Sequence, residues 1–451
     1  MIFAISLFTY LSFKNNCNFV PQKNKTAKLY VFIKFYGLTK PQKLLNIESF
    51  TIMIIREQYI SRLKNMLGIK IIKVITGLRR VGKTTLFKQF QQELKNSGVL
   101  ERNIIYLNLE EMENEALLER HVLHDYIMRL ADKNTINYVF LDEIQMVPEF
   151  EKLIDSLFVK DFIDIYITGS NAWFLSSELA TLLTGRYIEI PVFPLSFKEF
   201  SSVSTKSKAE IFEDYINFGG MPEVSNILQL NNQQEITPYL SHVYRTILEK
   251  DIYKRNKVKS KFDFENIVNF MFDCVGSTVS PNNIAETVTA NGNKIDNETV
   301  ENYLSVLEDG FLLNKVFRYD VRGKKMLQTR NKFYVADTGI LLAILGRNAQ
   351  INRGHLLENL IFIELKRRYK EIYIGKILQS ECDFVCKDDK GLIAYYQISL
   401  TVREQKTLDR ELAPFSKINN HFPKYLLTLD SEEPTHDGVQ QINVINWLLG
   451  N

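Results

Sequence analysis

Two glycines, a lysine and a threonine stand at a fixed spacing in "ITGLRRVGKTTLFKQF": Gly77, four residues, then Gly82, Lys83 and Thr84. Glycines at those positions let backbone N–H groups turn inward around an anion, and a helix beginning at Lys83 adds the positive end of its dipole. Lys83 supplies a point charge for the β- and γ-phosphates of ATP, and the Thr84 hydroxyl a ligand for Mg²⁺. Arg80, inside the loop, and Thr85, just after it, are assigned to the same phosphates. The bland alternative is a glycine-containing turn with a chance lysine. It does not account for the whole pattern lying between an apolar strand, "IIKVIT", and a helix.

A second constellation sits in "NYVFLDEIQ". Asp142, at the end of an apolar strand, suits the water shell of Mg²⁺, and Glu143 beside it suits a base that takes a proton from the attacking water. An Asp-Glu pair alone reads as a solvated strand end; coupled to the phosphate loop it reads as a hydrolytic site. One strand, "NIIYLNL", separates the two motifs along the chain. That extra strand and the adjacent glutamate point to an inserted-strand ATPase that cleaves the β–γ phosphoanhydride bond. "YITGSN" ends the next strand and offers Thr168, Ser170 and Asn171 as polar sensors of the γ-phosphate, although the same residues make ordinary turns. Arg186, in "LLTGRYIEI", has two readings of equal weight: an arginine finger, which across subunits requires a homo-oligomer, or a surface arginine near a helix end.

The elements needed to position these residues are legible as an alternation. Short β-branched runs at 71–76, 103–109, 137–143, 162–170 and 186–193 are separated by amphipathic helical stretches. Near-continuous apolar strands of that kind form a parallel sheet covered on both faces, with ligands beyond the carboxyl ends of the strands. After Pro194 the pattern turns helical; 262–336 reads as three helices and a β-hairpin, the plan of a winged helix, and 354–451 as a small α/β domain. With 451 residues, 45% hydrophobic and 24% charged, the chain has material for two or three cores. Its net charge of +3 does not by itself indicate a nucleic-acid partner.

Cys17, Cys274, Cys382 and Cys386 show no paired framework, which points to a reducing compartment, the cytoplasm, and to packed or surface thiols over a metal site. "MIFAISLFTYLSF" is too short to span a bilayer and lacks the flanks of a secretory signal, so no stable membrane insertion is expected. Residues 1–52 read as an extension outside the fold, from an upstream start assigned ahead of Met53; the runner-up is a membrane-surface anchor.

"ITGLRRVGKTTL", "VFLDEIQMVPEFE", "YITGSNAWFLSSELATLLTGRYIEIPVFPLSFKEF" and "FGGMPEV", in this order, resemble the AAA-plus ATPases of bacteria and archaea that carry a C-terminal domain of unknown function. The resemblance covers 53–451 and implies a P-loop core at 53–194, a helical lid and connector at 195–261, a winged helix at 262–345 and a restriction-endonuclease-like α/β domain at 346–451. A nuclease of that last fold needs a helix glutamate, a strand aspartate and a Glu-x-Lys on the following strand. Glu358 and Asp383 match the first two, but Gln397 and Ser399 replace the third pair, so a fold without cleavage is expected, with an ATP-regulated nuclease as the minority reading.

Two basic stretches, 244–262 and 318–332, suit non-sequence-specific DNA backbone contact, whereas Asp296, Glu298, Glu301, Glu308 and Asp309 on the presumptive recognition helix repel a duplex. Protein contact through the winged helix weighs equally. The whole reads as an ATP-hydrolysing engine, or a nucleotide-gated switch, acting on a C-terminal module that binds an unidentified protein partner.

Overall fold

The computed structural model describes residues 30–31, 44–46, 51–170, 183, 185–254, 258–291, 294–346 and 352–450. Two units emerge, Met1–Met53 and Ile54–Asn451. In the first, strands Tyr30–Val31, Leu44–Asn46 and Thr51–Met53 form a three-stranded antiparallel sheet in chain order.

The second unit opens with α1 (Glu57–Lys64), whose Tyr59, Ile60 and Leu63 are buried. Five strands follow: β1 (Ile72–Thr76), β2 (Ile104–Asn108), β3 (Asn137–Asp142), β4 (Ile163–Gly169) and β5 (Tyr187–Pro191). They pair in parallel in the order β2-β3-β4-β1-β5, so β4 lies between the strand leading into the phosphate loop and the strand ending in Asp142. The strand inserted in space is thus Ile163–Gly169; the strand that intervenes in sequence, β2, forms the edge. Helices α2 (Lys83–Asn96), α3 (Arg120–Leu130) and α4 (Phe150–Phe158) cover the sheet. Leu86, Phe87, Phe90 and Leu94 recur at helical spacing along α2 and are buried. The Phe87 ring meets Phe140 of β3 edge-on at 5.1 Å, and Phe90 meets Tyr166 of β4 at 5.5 Å. These contacts hold the start of α2, and with it the phosphate loop, over the ends of β3 and β4.

Helices α5 (Phe197–Ser201), α6 (Lys208–Phe218), α7 (Pro222–Gln229) and α8 (Ile236–Ile247) follow, and α8 runs directly into a π-helical turn, Leu248–Tyr253. Capping boxes start α5 (Ser196 with Glu199) and α6 (Ser207 with Glu210). The Gly219-Gly220 pair at the end of α6 wraps a buried carboxylate: a Cβ at Gly219 would stand 2.1 Å from Asp337 Oδ1, and the Gly220 N–H donates to Asp337 Oδ2 at 2.7 Å. The "FGG" motif is therefore a packing requirement.

Helices α9 (Lys261–Asp273), α10 (Pro281–Asn291) and α11 (Asn297–Asp309), with the short strand β6 (Thr278–Val279), precede the expected hairpin, β7 (Leu313–Asp320) and β8 (Lys325–Val335). The expected boundary at 345/346 is not a break in the sheet. After α12 (Thr338–Leu345) and α13 (Arg353–Arg368), β9 (Glu371–Ile377) pairs in parallel with β7, Arg318 opposite Ile374. One nine-stranded sheet results, in the order β13-β14-β12-β11-β10-β9-β7-β8-β6. Its remaining members are β10 (Ser380–Lys387), β11 (Ile393–Ile398), β12 (Lys424–Thr428), β13 (Thr435–His436) and β14 (Val439–Asn443), with α14 (Gln405–Leu412) and α15 (Val444–Leu449) alongside. Cys382 and Cys386 are buried in β10, and Cys274 is half-buried at the end of α9. Among the described residues no helix is long and apolar enough to cross a membrane.

Candidate functional site

The phosphate loop leaves β1 at Thr76 and is shaped by backbone that only particular residues tolerate. Gly77 has φ +143°, and a Cβ there would lie 2.2 Å from the Val192 carbonyl oxygen; Gly82 has φ +96°. Arg80 also adopts a left-handed conformation, φ 66°. No side chain caps α2 at Gly82, so the first-turn N–H groups are not claimed by a cap. Behind the loop, Arg56 donates from Nη1 to the Val81 carbonyl at 3.1 Å, from Nη2 to the Phe193 carbonyl at 2.9 Å, and from Nε to Glu199 at 2.8 Å. This buried arginine braces the loop against the start of α5. It stands alone in "IIREQY" with no motif around it, and sequence reasoning missed it.

Lys83 turns into the loop. Its ammonium donates to the Gly77 and Leu78 carbonyls at 2.9 and 3.2 Å and lies 4.0 Å from Glu143 Oε1. Burial pulls its pKa below the ordinary lysine value, against the pull of Glu143 and Asp142. Asp142 is fully buried at the end of β3, and burial raises its carboxyl against hydrogen bonds from the Thr168 and Thr84 hydroxyls. The Tyr106 hydroxyl also donates to Asp142, at 3.3 Å.

Thr168, at the end of β4, pins both acids: its hydroxyl donates to Asp142 Oδ1 at 2.5 Å and accepts the Glu143 N–H at 2.8 Å. Glu143 is held at φ 56°, an uncommon conformation for a side chain of that size. Its carboxylate takes a close hydrogen bond from the Gln145 amide, which also reaches Ser170 Oγ at 3.4 Å.

Gly77, Gly82, Lys83, Thr84, Asp142 and Glu143 therefore converge in one place, with Thr85 half-buried in the first turn of α2. The Arg80 side chain is exposed and bonds the Tyr239 hydroxyl of α8, which burial pushes up to about 12. Asn171 lies outside the described residues. Arg186 is not brought to this chain's own loop. Its carbonyl accepts from Ile72 N, at the amino end of β1, opposite the end that carries the loop, and its guanidinium pairs with Asp155 on α4. Within this chain Arg186 therefore stands by the amino end of β1 and is engaged by Asp155.

The cradle fits a magnesium triphosphate. No side chain caps the first turn of α2, the ammonium meets only carbonyl oxygens at hydrogen-bond distance, and a buried carboxylate stands among hydroxyls beside it. Two protein ligands, Thr84 and Asp142, suit Mg²⁺, which keeps waters and takes phosphate oxygens.

The C-terminal carboxylates differ. Glu358 accepts from Tyr334 at 2.5 Å and from Lys332 at 3.1 Å, and Lys332 also pairs with Glu381 at 3.0 Å. Asp383 accepts the Ile398 N–H at 2.8 Å, while the Gln397 amide bonds Glu411 at 2.8 Å, itself paired with Arg410. Among the described residues no group of three or more acids, histidines or cysteines is placed to hold a metal. In the two basic stretches, Lys250 pairs with Glu110, Lys261 with Glu249, and Lys332 is buried. Arg322, Lys324 and Lys325 at the hairpin tip are exposed.

Residues 70–201 match the model of a family described as an AAA domain, and 209–351 match a domain of unknown function. An uncharacterised protein of Haemophilus influenzae is 35% identical over 404 residues, 88% of this chain and 99% of that protein. An uncharacterised protein of Methanocaldococcus jannaschii is 32% identical over 74% of this chain and 77% of its own length. Among solved structures, a Walker-type ATPase of Pyrococcus abyssi superposes with a TM-score of 0.48 at 15% identity, covering 65% of this chain and 96% of that one.

Proposed function

From the premise that this chain belongs to the family of AAA-domain proteins that includes the Haemophilus influenzae relative, we propose that it hydrolyses ATP with Mg²⁺ and uses the cycle to move or gate its C-terminal module. Lys83 and the loop amides hold the β- and γ-phosphates, with Thr85 and Arg80 at the margin. Thr84 and Asp142 hold Mg²⁺, which neutralises phosphate charge when bound. Glu143 takes the proton of the water that attacks the γ-phosphorus as the β–γ bridging bond breaks; one water is consumed, and ADP and phosphate leave. Thr168 keeps both carboxylates in register. Asn171, and Arg186 from a neighbouring copy, are the further groups assigned to the site.

The observation that carries this reading is the buried Lys83 ammonium, bonded only to loop carbonyls and facing two acids pinned by one threonine. Glu143→Gln is expected to keep MgATP bound while turnover falls by about 10²–10⁴, measured by nucleotide retention and phosphate release. If neither nucleotide retention nor hydrolysis occurs in the wild-type protein, the proposal fails. A second reading, a nucleotide-gated switch with incidental turnover, draws on the prior engagement of Glu143 by Gln145. It gains if wild-type turnover is no faster than that of Glu143→Gln. Nucleic acid, if bound, meets Arg322, Lys324 and Lys325 at the hairpin tip. The C-terminal cluster supports a domain without cleavage, its acids being engaged by Lys332, Tyr334, Arg410 and backbone amides.

A further inference from the structure

Arg79 sits inside the phosphate loop with its side chain only 11% exposed, and its guanidinium is committed to a carboxylate on a remote element. Nε and Nη2 make a two-pronged pair with Asp251 at 2.8 and 3.0 Å, and Nη1 lies 3.2 Å from Glu110. Asp251 is fully buried within the π-helical turn Leu248–Tyr253, and it also accepts from the Ser170 hydroxyl at 3.0 Å. Lys250 beside it pairs with Glu110 at 2.7 Å. Arg79 is close enough to the reacting centre for Glu143 to raise its pKa and for its own charge to lower that of Lys83.

The turn leads away from the nucleotide and into the helices that follow. A Cβ at Gly310, just after α11, would stand 3.2 Å from the Ile252 side chain. The Tyr253 ring meets Phe264 of α9 at 5.7 Å, and Phe264 meets Tyr303 of α11 at 5.1 Å. One ion pair thus separates the phosphate loop from a chain of packed side chains reaching the three-helix segment.

A terminal phosphate carries more charge than a carboxylate and offers oxygens matched to the guanidinium fork. A diphosphate has no group at that position. A buried carboxylate that loses its cation is costly to keep in place, so the element carrying it must shift. Single-turn π-helical segments in helices are frequent at functional sites. We propose that Arg79 is the γ-phosphate sensor of this chain and Asp251 its resting partner. The terminal phosphate takes Arg79 from Asp251, and the freed turn loosens the packing of Ile252 and Tyr253 on α9 and α11. This deepens the nucleotide-binding reading above and rests on it.

Hydrogen exchange on the full wild-type chain with Mg²⁺ tests it, comparing ADP with a β,γ-methylene ATP analogue. Amides of 248–254 are expected to exchange at least about fivefold faster with the analogue. In Arg79→Ala they exchange at the fast rate with either nucleotide, and the preference for the triphosphate analogue over ADP drops by about tenfold or more. Asp251→Asn, which keeps the shape and weakens the hold, raises that preference. Equal exchange at 248–254 with the two nucleotides in the wild-type protein overturns the proposal, as does an Arg79→Ala chain with unchanged preference. A chain that binds neither nucleotide defeats the preceding reading too; one that binds both without discrimination defeats this one alone.

Discussion

The phosphate loop and the C-terminal carboxylate cluster each place a buried lysine among acids, and they differ in what the lysine touches. Lys332 bridges Glu358 and Glu381 at 3.1 and 3.0 Å, and burial there is outweighed: its neighbours raise its pKa. Lys83 meets backbone carbonyls, stands 4.0 Å from its nearest carboxylate, and has its pKa lowered by burial. In the first arrangement the lysine is committed to carboxylates of its own chain and acts as structure. The second sets a cation that only carbonyl oxygens hold at hydrogen-bond distance next to two acids, the charge arrangement that suits a polyanion with its metal.

Swapping each lysine for methionine tests the contrast most severely. Lys332→Met strands two acids in a low-dielectric site and is expected to cost about 3–5 kcal/mol, read from urea unfolding, with ATP affinity little changed. Lys83→Met is expected to change nucleotide-free stability by less than about 1 kcal/mol while abolishing ATP binding. The reverse pattern would show that the two clusters have been assigned the wrong way round.

A smaller effect separates acids held by hydroxyls from acids held by amides. Asp337 is buried, its carboxyl pushed up to about 6 despite N–H groups from Gly220, Ile340 and Gly339. The folded protein then keeps a proton that the unfolded chain releases, so this group's contribution falls as pH rises from about 4 to about 6. Asp337→Asn removes that slope: the stability gap between wild type and variant narrows by on the order of 3 kcal/mol across the window. Denaturant midpoints at pH 4.5 and pH 7 check it; pH 4.5 already lies above the ordinary carboxyl value, so this interval is expected to show about 2 kcal/mol of the change.

The smallest effect belongs to Arg186, whose pair with Asp155 is 45% and 44% exposed. Arg186→Ala is expected to alter stability by less than about 0.5 kcal/mol. A loss of turnover that grows with protein concentration would assign Arg186 to a neighbouring copy's site.

The contrast also marks what the sequence could reveal. The loop residues were readable because their spacing is dictated locally by a strand, a turn and a helix start. Asp142 and Glu143 were readable because an apolar strand ends at them. Thr168 is one of three candidate polar sensors in "YITGSN", and its hydroxyl fastens the two acids; a hydroxyl at a strand end has no pattern that distinguishes the roles. Arg56 and Arg79 owe their roles to partners more than 100 positions away, Glu199 and Asp251. Such pairs leave no periodic trace. The three helices and hairpin of 262–336 were legible by hydrophobic period, but the pairing of β7 with β9 was not, because parallel register between distant strands is a tertiary choice.

That pairing has a mechanical consequence. Nine strands joined edge to edge make a plate roughly 38 Å wide at the usual strand spacing. Tilting its hairpin border by about 10° would sweep the far border through roughly 7 Å, unless the plate shears. A displacement at the base of the hairpin would then be magnified at the opposite rim, where Thr435–His436 form the outermost strand.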